Sequence, residues 1–202
     1  MSTSATASAP LKVVIVEDDP TVREYLHQTL ERDGYMIIGE AATGTDMVRT
    51  VLELEPDLVV FDIHLPHQDG LSALKQIYQE RIVAAVAITA DRDQDLVRRA
   101  LEEHVLAYLV KPVDSHQLSP ALKIAWARFQ ELRSLTTENA SLRQTLQNRK
   151  IIEKAKGVLM KKNRWSEAEA FRRIQKGAMN RRLAMVDLAQ AILAGQDIDL
   201  SK

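Results

Sequence analysis

The first 116 residues alternate between short runs rich in Val and Ile and longer segments with helical periodicity. The short runs are apolar at consecutive positions, which is typical of strands buried on both faces of a parallel sheet. Such a sheet is covered by helices on both sides, and its functional sites lie at the carboxyl ends of the strands. The expected strands of this α/β fold are 12–16, 36–39, 58–61, 83–88 and 107–110, and the expected helices are 21–32, 46–54, 70–81, 94–103 and a fifth that begins at His116 or Gln117.

The fifth helix continues past the point where a compact domain would end. Its apolar residues step by three or four positions from Leu118 to Leu146, and Asn139 occupies an a-type position of the heptad. A buried amide at that position favours two helices in register. We therefore predict a coiled-coil linker over 118–149 that is able to pair with a second copy as a homodimer. The alternative is a single helix that lies on its own domain.

The charge of the chain is unevenly divided. Residues 1–149 carry 15 Lys and Arg against 22 Asp and Glu, whereas residues 150–202 carry 12 against 6. Segment 150–195 has helical periodicity throughout, and we predict a bundle of three short helices with Phe171, Ile174 and Leu188 in its core. A compact basic module joined to an acidic one indicates a polyanionic partner for the basic module.

The composition excludes several classes of site. The chain contains no cysteine, which excludes disulfides, Cys-ligated zinc, iron–sulfur clusters and a cysteine nucleophile. Hydrophobic residues make up 46% and charged residues 27%, so the chain can bury a core. No apolar run is long enough to span a membrane, and the N-terminus lacks the pattern of a signal peptide. We expect a soluble cytoplasmic protein without a membrane partner, with a disordered tail over 1–10 and a second tail over 196–202.

Charged and polar side chains stand at the ends of the expected strands. Glu17 and Asp18 follow the first strand, Asp62 the third, Thr89 the fourth and Lys111 the fifth. Because crowded carboxylates repel one another, they predict a bound hard divalent cation, and Mg²⁺ best matches oxygen ligands. A carboxylate beside that ion can attack a phosphoryl group, with Lys111 and Thr89 stabilising the phosphoryl oxygens.

These residues lie in four ordered motifs that resemble the receiver domain of two-component response regulators. The motifs are 16–20 (VEDDP), 61–66 (FDIHLP) followed by Asp69-Gly70, 88–90 (ITA) and 108–112 (YLVKP). The resemblance implies a flavodoxin-like receiver domain over 11–117 that accepts a phosphoryl group from a sensor histidine kinase. It implies no enzymatic activity beyond this transfer and slow autodephosphorylation.

The same resemblance implies roles for the acidic residues. Asp62 would be the phosphoacceptor, and Mg²⁺ would be held by Glu17, Asp18, Asp62 and the backbone carbonyl of His64. Two positions depart from the family pattern. Glu17 stands where Asp is common, and His104 stands where Gly often closes the fourth helix, so that residue must adopt a left-handed conformation or the turn must be reshaped.

Three further residues would form the phosphorylation switch. Lys111 would pair with the acyl phosphate, Thr89 would be the switch hydroxyl, and Tyr108 would be the aromatic side chain that rotates inward on activation. Phosphorylation would then favour a homodimer through the fourth-helix face of the receiver and the long helix. The competing interpretation is a degenerate receiver that folds but is never phosphorylated. A transition-metal site at His64 and His67 is a weaker alternative, because side chains two residues after a strand end usually point to solvent.

Basic side chains of the C-terminal segment form a stripe on the expected helices, and such stripes bind phosphates. Because Phe171 is expected to point inward, recognition of RNA shape is favoured over base stacking. The expected contacts are Lys154, Lys156, Lys161, Lys162, Arg164, Arg172, Arg173, Lys176 and Arg181.

Five short blocks of this segment resemble the ANTAR domain, a three-helix RNA-binding module. The blocks are 155–160 (AKGVLM), 166–167 (SE), 170–171 (AF), 178–179 (AM) and 188–189 (LA). The arrangement of the whole chain resembles actinobacterial receiver–ANTAR regulators.

The resemblance implies an ANTAR domain over 150–195 that binds RNA stem-loops in nascent transcripts and prevents transcription termination. Lys156 and Lys161, near Gly157, are expected to make the closest contacts. The alternatives are a DNA-binding response regulator and a signalling adaptor whose C-terminal bundle binds a protein.

Overall fold

The computed structural model describes residues 9–91, 93–196 and 198. The chain divides between Leu132 and Arg133 into two compact units. The tails expected over 1–10 and 196–202 lie largely outside the described residues. Among the residues that are described, no helix is both long and apolar enough to cross a membrane.

The first unit alternates strands and helices as the sequence predicts. The strands are β1 (Lys12–Val16), β2 (Met36–Ala41), β3 (Leu58–Asp62), β4 (Ala84–Thr89) and β5 (Ala107–Val110). The helices are α1 (Pro20–Arg32), α2 (Gly44–Leu54), α3 (Gly70–Glu80), α4 (Gln94–Glu102) and α5 (Ser115–Asn163), the last of which extends across the boundary between the units.

The five strands form one parallel sheet in the order β2-β1-β3-β4-β5. Successive residues of the central strands enter different apolar layers: Val14 and Val16 belong to one, and Val13 and Ile15 to the other. All four side chains are fully buried, and each contributes about 1.5–3 kcal/mol by leaving water. The prediction of a doubly covered parallel sheet is confirmed.

Three helices that follow the central strands begin with an aspartate as N-cap. Asp19 accepts hydrogen bonds from the backbone amides of Thr21 and Val22 at 2.7 and 3.2 Å, and Asp69 and Asp93 cap α3 and α4 in the same way. Such caps satisfy amides that have no partner within the helix. They therefore fix the loops along the carboxyl edge of the sheet.

The turn after α4 confirms one expectation from the sequence. His104 has a φ of 58°, which lies in the left-handed region. Its amide donates to the carbonyl of Leu101 at 3.1 Å, and the next residue, Val105, donates to Ala100 at 2.9 Å. The turn thus takes a histidine in a conformation that usually favours glycine.

The heptad pattern of α5 contains two kinds of residue. Within the first unit, Leu118, Leu122, Ala125 and Phe129 pack into the apolar layer that also holds Val13 and Ile15. These four residues pack within their own unit, as the single-helix alternative required. The part of α5 that remains for pairing with a second copy is therefore shorter than the heptad spacing indicated. Further along, the leucines are 54–59% exposed, namely Leu132, Leu135, Leu142 and Leu146.

The second unit combines the end of α5 with α6 (Glu167–Arg181) and α7 (Met185–Leu193). The first of the three predicted short helices is therefore not a separate element. The core of the second unit includes Ile174 and Leu188 as expected.

The prediction that Phe171 points inward is wrong, because this residue is 40% exposed. Ala170, Ile174 and Ala178 recur every four residues and occupy the inward stripe of α6. Phe171 therefore lies at the edge of that stripe.

Candidate functional site

Three strand ends bring polar side chains into an otherwise apolar layer. Asp62 and Thr89 are the last residues of β3 and β4, and Glu17 directly follows β1. Because β1, β3 and β4 are neighbours in the sheet, these side chains meet at one edge. All three residues are at most 5% exposed.

Lys111 connects the acidic residues. Its ammonium donates to Glu17 Oε1 at 2.8 Å and to Asp62 Oδ2 at 2.5 Å. The other oxygen of Asp62 accepts from the backbone amide of His64 at 2.9 Å. Arg23 Nη1 also donates to the carbonyl oxygen of Glu17 at 2.6 Å. The Asp62 carboxylate is thus held in one orientation by contacts to both of its oxygens.

Burial and pairing act in opposite directions on these groups. Burial raises the pKa of Glu17 above its ordinary value, and the contact with Lys111 offsets this only in part. Burial alone would lower the pKa of Lys111, but its hydrogen bonds to Asp62 and Glu17 outweigh burial and raise that pKa. Lys111 therefore remains a cation at neutral pH.

The acidic residues fit a hard divalent cation. Glu17, Asp18 and Asp62 each offer a carboxylate oxygen, and these oxygens lie within 4.8 Å of one another. Glu17 Oε2 is buried and lies 2.7 Å from the Lys111 ammonium as an ion pair. It accepts no hydrogen bond, so it has a lone pair available for a cation. An all-oxygen set with one exposed member, Asp18, suits Mg²⁺, which keeps several waters.

The histidines do not join this cluster. The side chain of His64 is 57% exposed and lies 3.7 Å from Asp91 Oδ2. Among the residues that the structure describes, the acidic trio is the only group of three that could hold a metal ion. The arrangement therefore offers no support for a transition-metal site at His64 and His67.

The two expected switch residues contact the same loop residue. Thr89 Oγ1 accepts from the backbone amide of Asp91 at 3.2 Å, and the Tyr108 hydroxyl donates to the carbonyl oxygen of Asp91 at 2.9 Å. Any movement of Thr89 that breaks its bond to Asp91 acts directly on the partner of Tyr108.

Most of the expected RNA contacts lie on the surface of the second unit. The exposed members are Lys154, Lys161, Lys162, Arg164, Arg172, Lys176 and Arg181, and Arg173 is half-buried. Arg173 lies 5.3 Å from the ring centroid of Trp165 and 3.6 Å from Glu169 Oε1. It is partly committed to contacts within the unit.

Lys156 differs from the other basic residues because it is only 6% exposed. Its ammonium donates to both carboxylate oxygens of Glu153, at 2.8 and 2.7 Å, and to Glu167 Oε1 at 2.8 Å. The ammonium is therefore paired with two carboxylates. Lys156 thus joins α5 to the first turn of α6 and does not lie on the exposed stripe.

Two family descriptions match this chain. "Response regulator receiver domain" matches residues 13–123, and "ANTAR domain" matches residues 140–193. This chain belongs to the response regulators that join a receiver domain to an ANTAR domain. The residues gathered at the sheet edge lie in the receiver match, and the basic surface lies in the ANTAR match.

Relatives of this receiver–ANTAR regulator cover different lengths of it. The transcriptional regulatory protein PdtaR of Mycobacterium tuberculosis is 40% identical over 192 residues, which are 95% of this chain and 94% of PdtaR. A probable C4-dicarboxylate response regulator, DctR of Halalkalibacterium halodurans, is 41% identical over 57% of this chain and 52% of its own length.

Solved structures resemble the first unit of the regulator. A LuxR-family response regulator from Aurantimonas sp. is 29% identical, with a TM-score of 0.56, over 58% of this chain and 86% of its own. The CheX-CheY-BeF3-Mg complex from Borrelia burgdorferi contains a chain that is 28% identical, with a TM-score of 0.54, over 59% of this chain and 90% of its own. The flavodoxin-like receiver fold expected from the sequence is thereby confirmed.

Proposed function

We propose that this response regulator is an RNA-binding transcription antiterminator that phosphorylation of Asp62 controls. The observation that carries the proposal is the contact of Lys111 with the buried residues Glu17 and Asp62, beside the buried Thr89, in a chain that also presents an exposed basic ANTAR unit. The proposed domains are the receiver at 11–117, the linker at 118–149 and the ANTAR domain at 150–195. The proposed location is the cytoplasm, where nascent transcripts are found.

The first step is phosphoryl transfer from a histidine of the sensor kinase. A carboxylate oxygen of Asp62 attacks the phosphorus, a P–O bond forms, the P–N bond breaks, and the electron pair returns to the imidazole. Lys111 holds one phosphoryl oxygen and Thr89 donates its hydroxyl to another. A divalent cation held by Glu17, Asp18, Asp62 and the carbonyl of His64 would neutralise negative charge. Slow hydrolysis of the acyl phosphate returns Asp62 to its free form.

The switch follows from the hydrogen bonds of Thr89. To donate to a phosphoryl oxygen, the hydroxyl must move toward Asp62 and away from the amide of Asp91. The carbonyl oxygen of Asp91 then shifts, and Tyr108 loses its present acceptor and turns inward. Phosphorylation thereby changes the surface around α4 and β5.

A groove beside Lys111 is the proposed docking surface for the kinase. It has a volume of about 720 Å³ and an apolar lining that includes Val22, Tyr25, Pro112 and Val113. Its position at Lys111 places a docked helix next to the phosphoacceptor. Tyr25 is 43% exposed, which leaves it available to such a partner.

Dimerisation is the proposed link between the two units. Leu135, Leu142 and Leu146 remain exposed along α5, with Asn139 at the position that favours two strands in register. A dimer joins two weak RNA sites, so the second hairpin binds at a high effective concentration. Two hairpins in one transcript would therefore be bound much more tightly than either alone.

The test is a filter-binding titration of a tandem-hairpin RNA and a matched DNA duplex. Each is titrated with and without beryllofluoride and Mg²⁺, using the wild-type protein and Asp62→Asn, which keeps the side-chain shape. The proposal requires binding of RNA over DNA, and tighter binding on activation only when Asp62 is intact. Stronger binding to the duplex would support the DNA-binding alternative, and absence of binding to both would support the protein-binding adaptor.

A further inference from the structure

A cleft in the second unit has no role in the function proposed above. Its volume is about 420 Å³, and it lies between one face of α5 and Phe171 of α6. The α5 residues recur at steps of three and four, so they share one helix face. The lining residues are Thr145, Asn148, Arg149, Ile152, Glu153, Lys156 and Phe171.

We propose that this cleft binds an unpaired base of the RNA hairpin loop, stacked on the ring of Phe171. The inference rests on the RNA-binding function proposed above and assigns a base-binding site to it. Phe171 is 40% exposed, although its neighbours Ala170 and Ile174 are fully buried. A large exposed ring at the wall of a cleft offers a flat apolar surface, and every base has a face that stacks on it.

Lys156 supports the ring instead of contacting phosphate. Its ammonium lies 5.9 Å from the centroid of Phe171, within the range of a cation–π contact. Because the ammonium is buried and paired with the carboxylates of Glu153 and Glu167, it is poorly placed to contact RNA phosphate. The lysine thus helps to hold the ring at the wall of the cleft, where the exposed part of the ring remains available.

Two polar groups at the cleft have unused hydrogen-bonding capacity. The carbonyl oxygen of Asn148 accepts from Gln144 Nε2 at 2.8 Å, whereas its amide nitrogen has no acceptor among the described residues. The guanidinium of Arg149 forms no ion pair with any residue that the structure describes. The free amide suits an acceptor on the base edge, and the free guanidinium suits the adjoining phosphate.

The charge of the cleft favours RNA over a second copy of the chain. The apolar seam of α5 ends at Leu146, and the next seam positions are Arg149 and Glu153. Continued pairing of two copies along this seam would bury those charges, which is costly without matched partners. Exposed basic residues nearby, including Arg172 beside Phe171, instead match a polyanion.

The test measures the affinity of the full chain for two forms of a tandem-hairpin RNA, one with intact loops and one with abasic sites in the loops. We expect Phe171→Leu to weaken binding to intact loops by about tenfold, which lies within the range for stacking of one base. Phe171→Trp keeps an aromatic ring and should bind intact loops as tightly as the wild type. Met179→Ala is the matched control, because Met179 is 72% exposed on the same helix outside the cleft lining. Circular dichroism confirms that each variant is folded.

The decisive result is the coupling between the protein and RNA changes. The affinity of the wild type should be about tenfold lower for RNA with abasic loops than for RNA with intact loops, whereas Phe171→Leu should bind both RNAs equally. If wild type binds RNA and Phe171→Leu binds equally well, the base site is refuted and the antiterminator proposal stands. If Phe171→Leu instead reduces self-association, the cleft is an interface between copies and the base site is again refuted. If the wild type binds no RNA, both proposals fail.

Discussion

Gly70 allows the end of β3 and the start of α3 to pack closely, and replacing it with alanine should be costly. A Cβ at Gly70 would lie 2.6 Å from Phe61 Cδ2 and nearer still to the carbonyl oxygen of Asp62. Carbon atoms pack best at about 3.5–4.0 Å, so the helix or the ring must move by about 1 Å. Neither neighbour can give way easily, since Phe61 is fully buried and Asp62 contributes backbone.

Overpacking of this kind costs about 1–3 kcal/mol, and two rigid neighbours place Gly70→Ala near the upper end of that range. With an m-value of about 1.5 kcal/mol/M, the urea midpoint of the first unit should fall by about 1.5–2 M. Binding of beryllofluoride should also weaken, because the backbone of Asp62 is displaced.

The assay can isolate the first unit. The chain has two tryptophans, and Trp126 packs in the first unit against Phe129. In a Trp165→Phe background, urea unfolding followed by fluorescence therefore reports on the first unit alone. Gly157→Ala is the control, since a Cβ there meets no atom within 4 Å. An unchanged midpoint for Gly70→Ala would refute the steric argument.

Three further outcomes are expected. The hydrogen bond to Glu40 raises the pKa of His27. The stabilisation from this contact is therefore complete below about pH 6.5 and is lost as pH rises through the pKa of the folded state. In parallel urea titrations, His27→Gln should lower the free energy of unfolding by about 0.5–1 kcal/mol near pH 5 and leave it unchanged near pH 9. Lys156→Met should lower the melting temperature of the second unit, since Glu167 loses its partner on α5, and circular dichroism melts measure this change. Gly157→Ala should raise the stability of that unit by about 0.5–1 kcal/mol, because alanine orders a helix at less entropic cost, and a lower melting temperature would contradict this.

The receiver site could be predicted because it depends on local patterns. A strand buried on both faces is visible as a continuous apolar run, and the polar residue that ends it must lie at the sheet edge. Glu17, Asp62, Thr89 and Lys111 meet there because parallel strands align their carboxyl ends. Their pairings across 49 and 94 positions needed the strand order, which the sequence pattern does not contain.

The second unit was predicted less well because its contacts depend on how helices pack. Lys156 appears on a helical wheel as one more surface cation, and its partner Glu167 lies eleven residues away on another helix. The size of Phe171 predicts a core residue. Only the packing of α6 shows that smaller residues fill the inward stripe and leave the ring at the edge.

The aspartate caps of the receiver unit have a consequence for how related chains can diverge. The carboxylates of Asp19, Asp69 and Asp93 accept hydrogen bonds from backbone amides at the starts of α1, α3 and α4. They therefore add negative charge at the carboxyl edge of the sheet without serving as metal ligands. Asn or Ser at any of these positions would keep the cap and remove one charge. Cation affinity and the speed at which a charged partner approaches can therefore evolve by single substitutions while the fold stays the same.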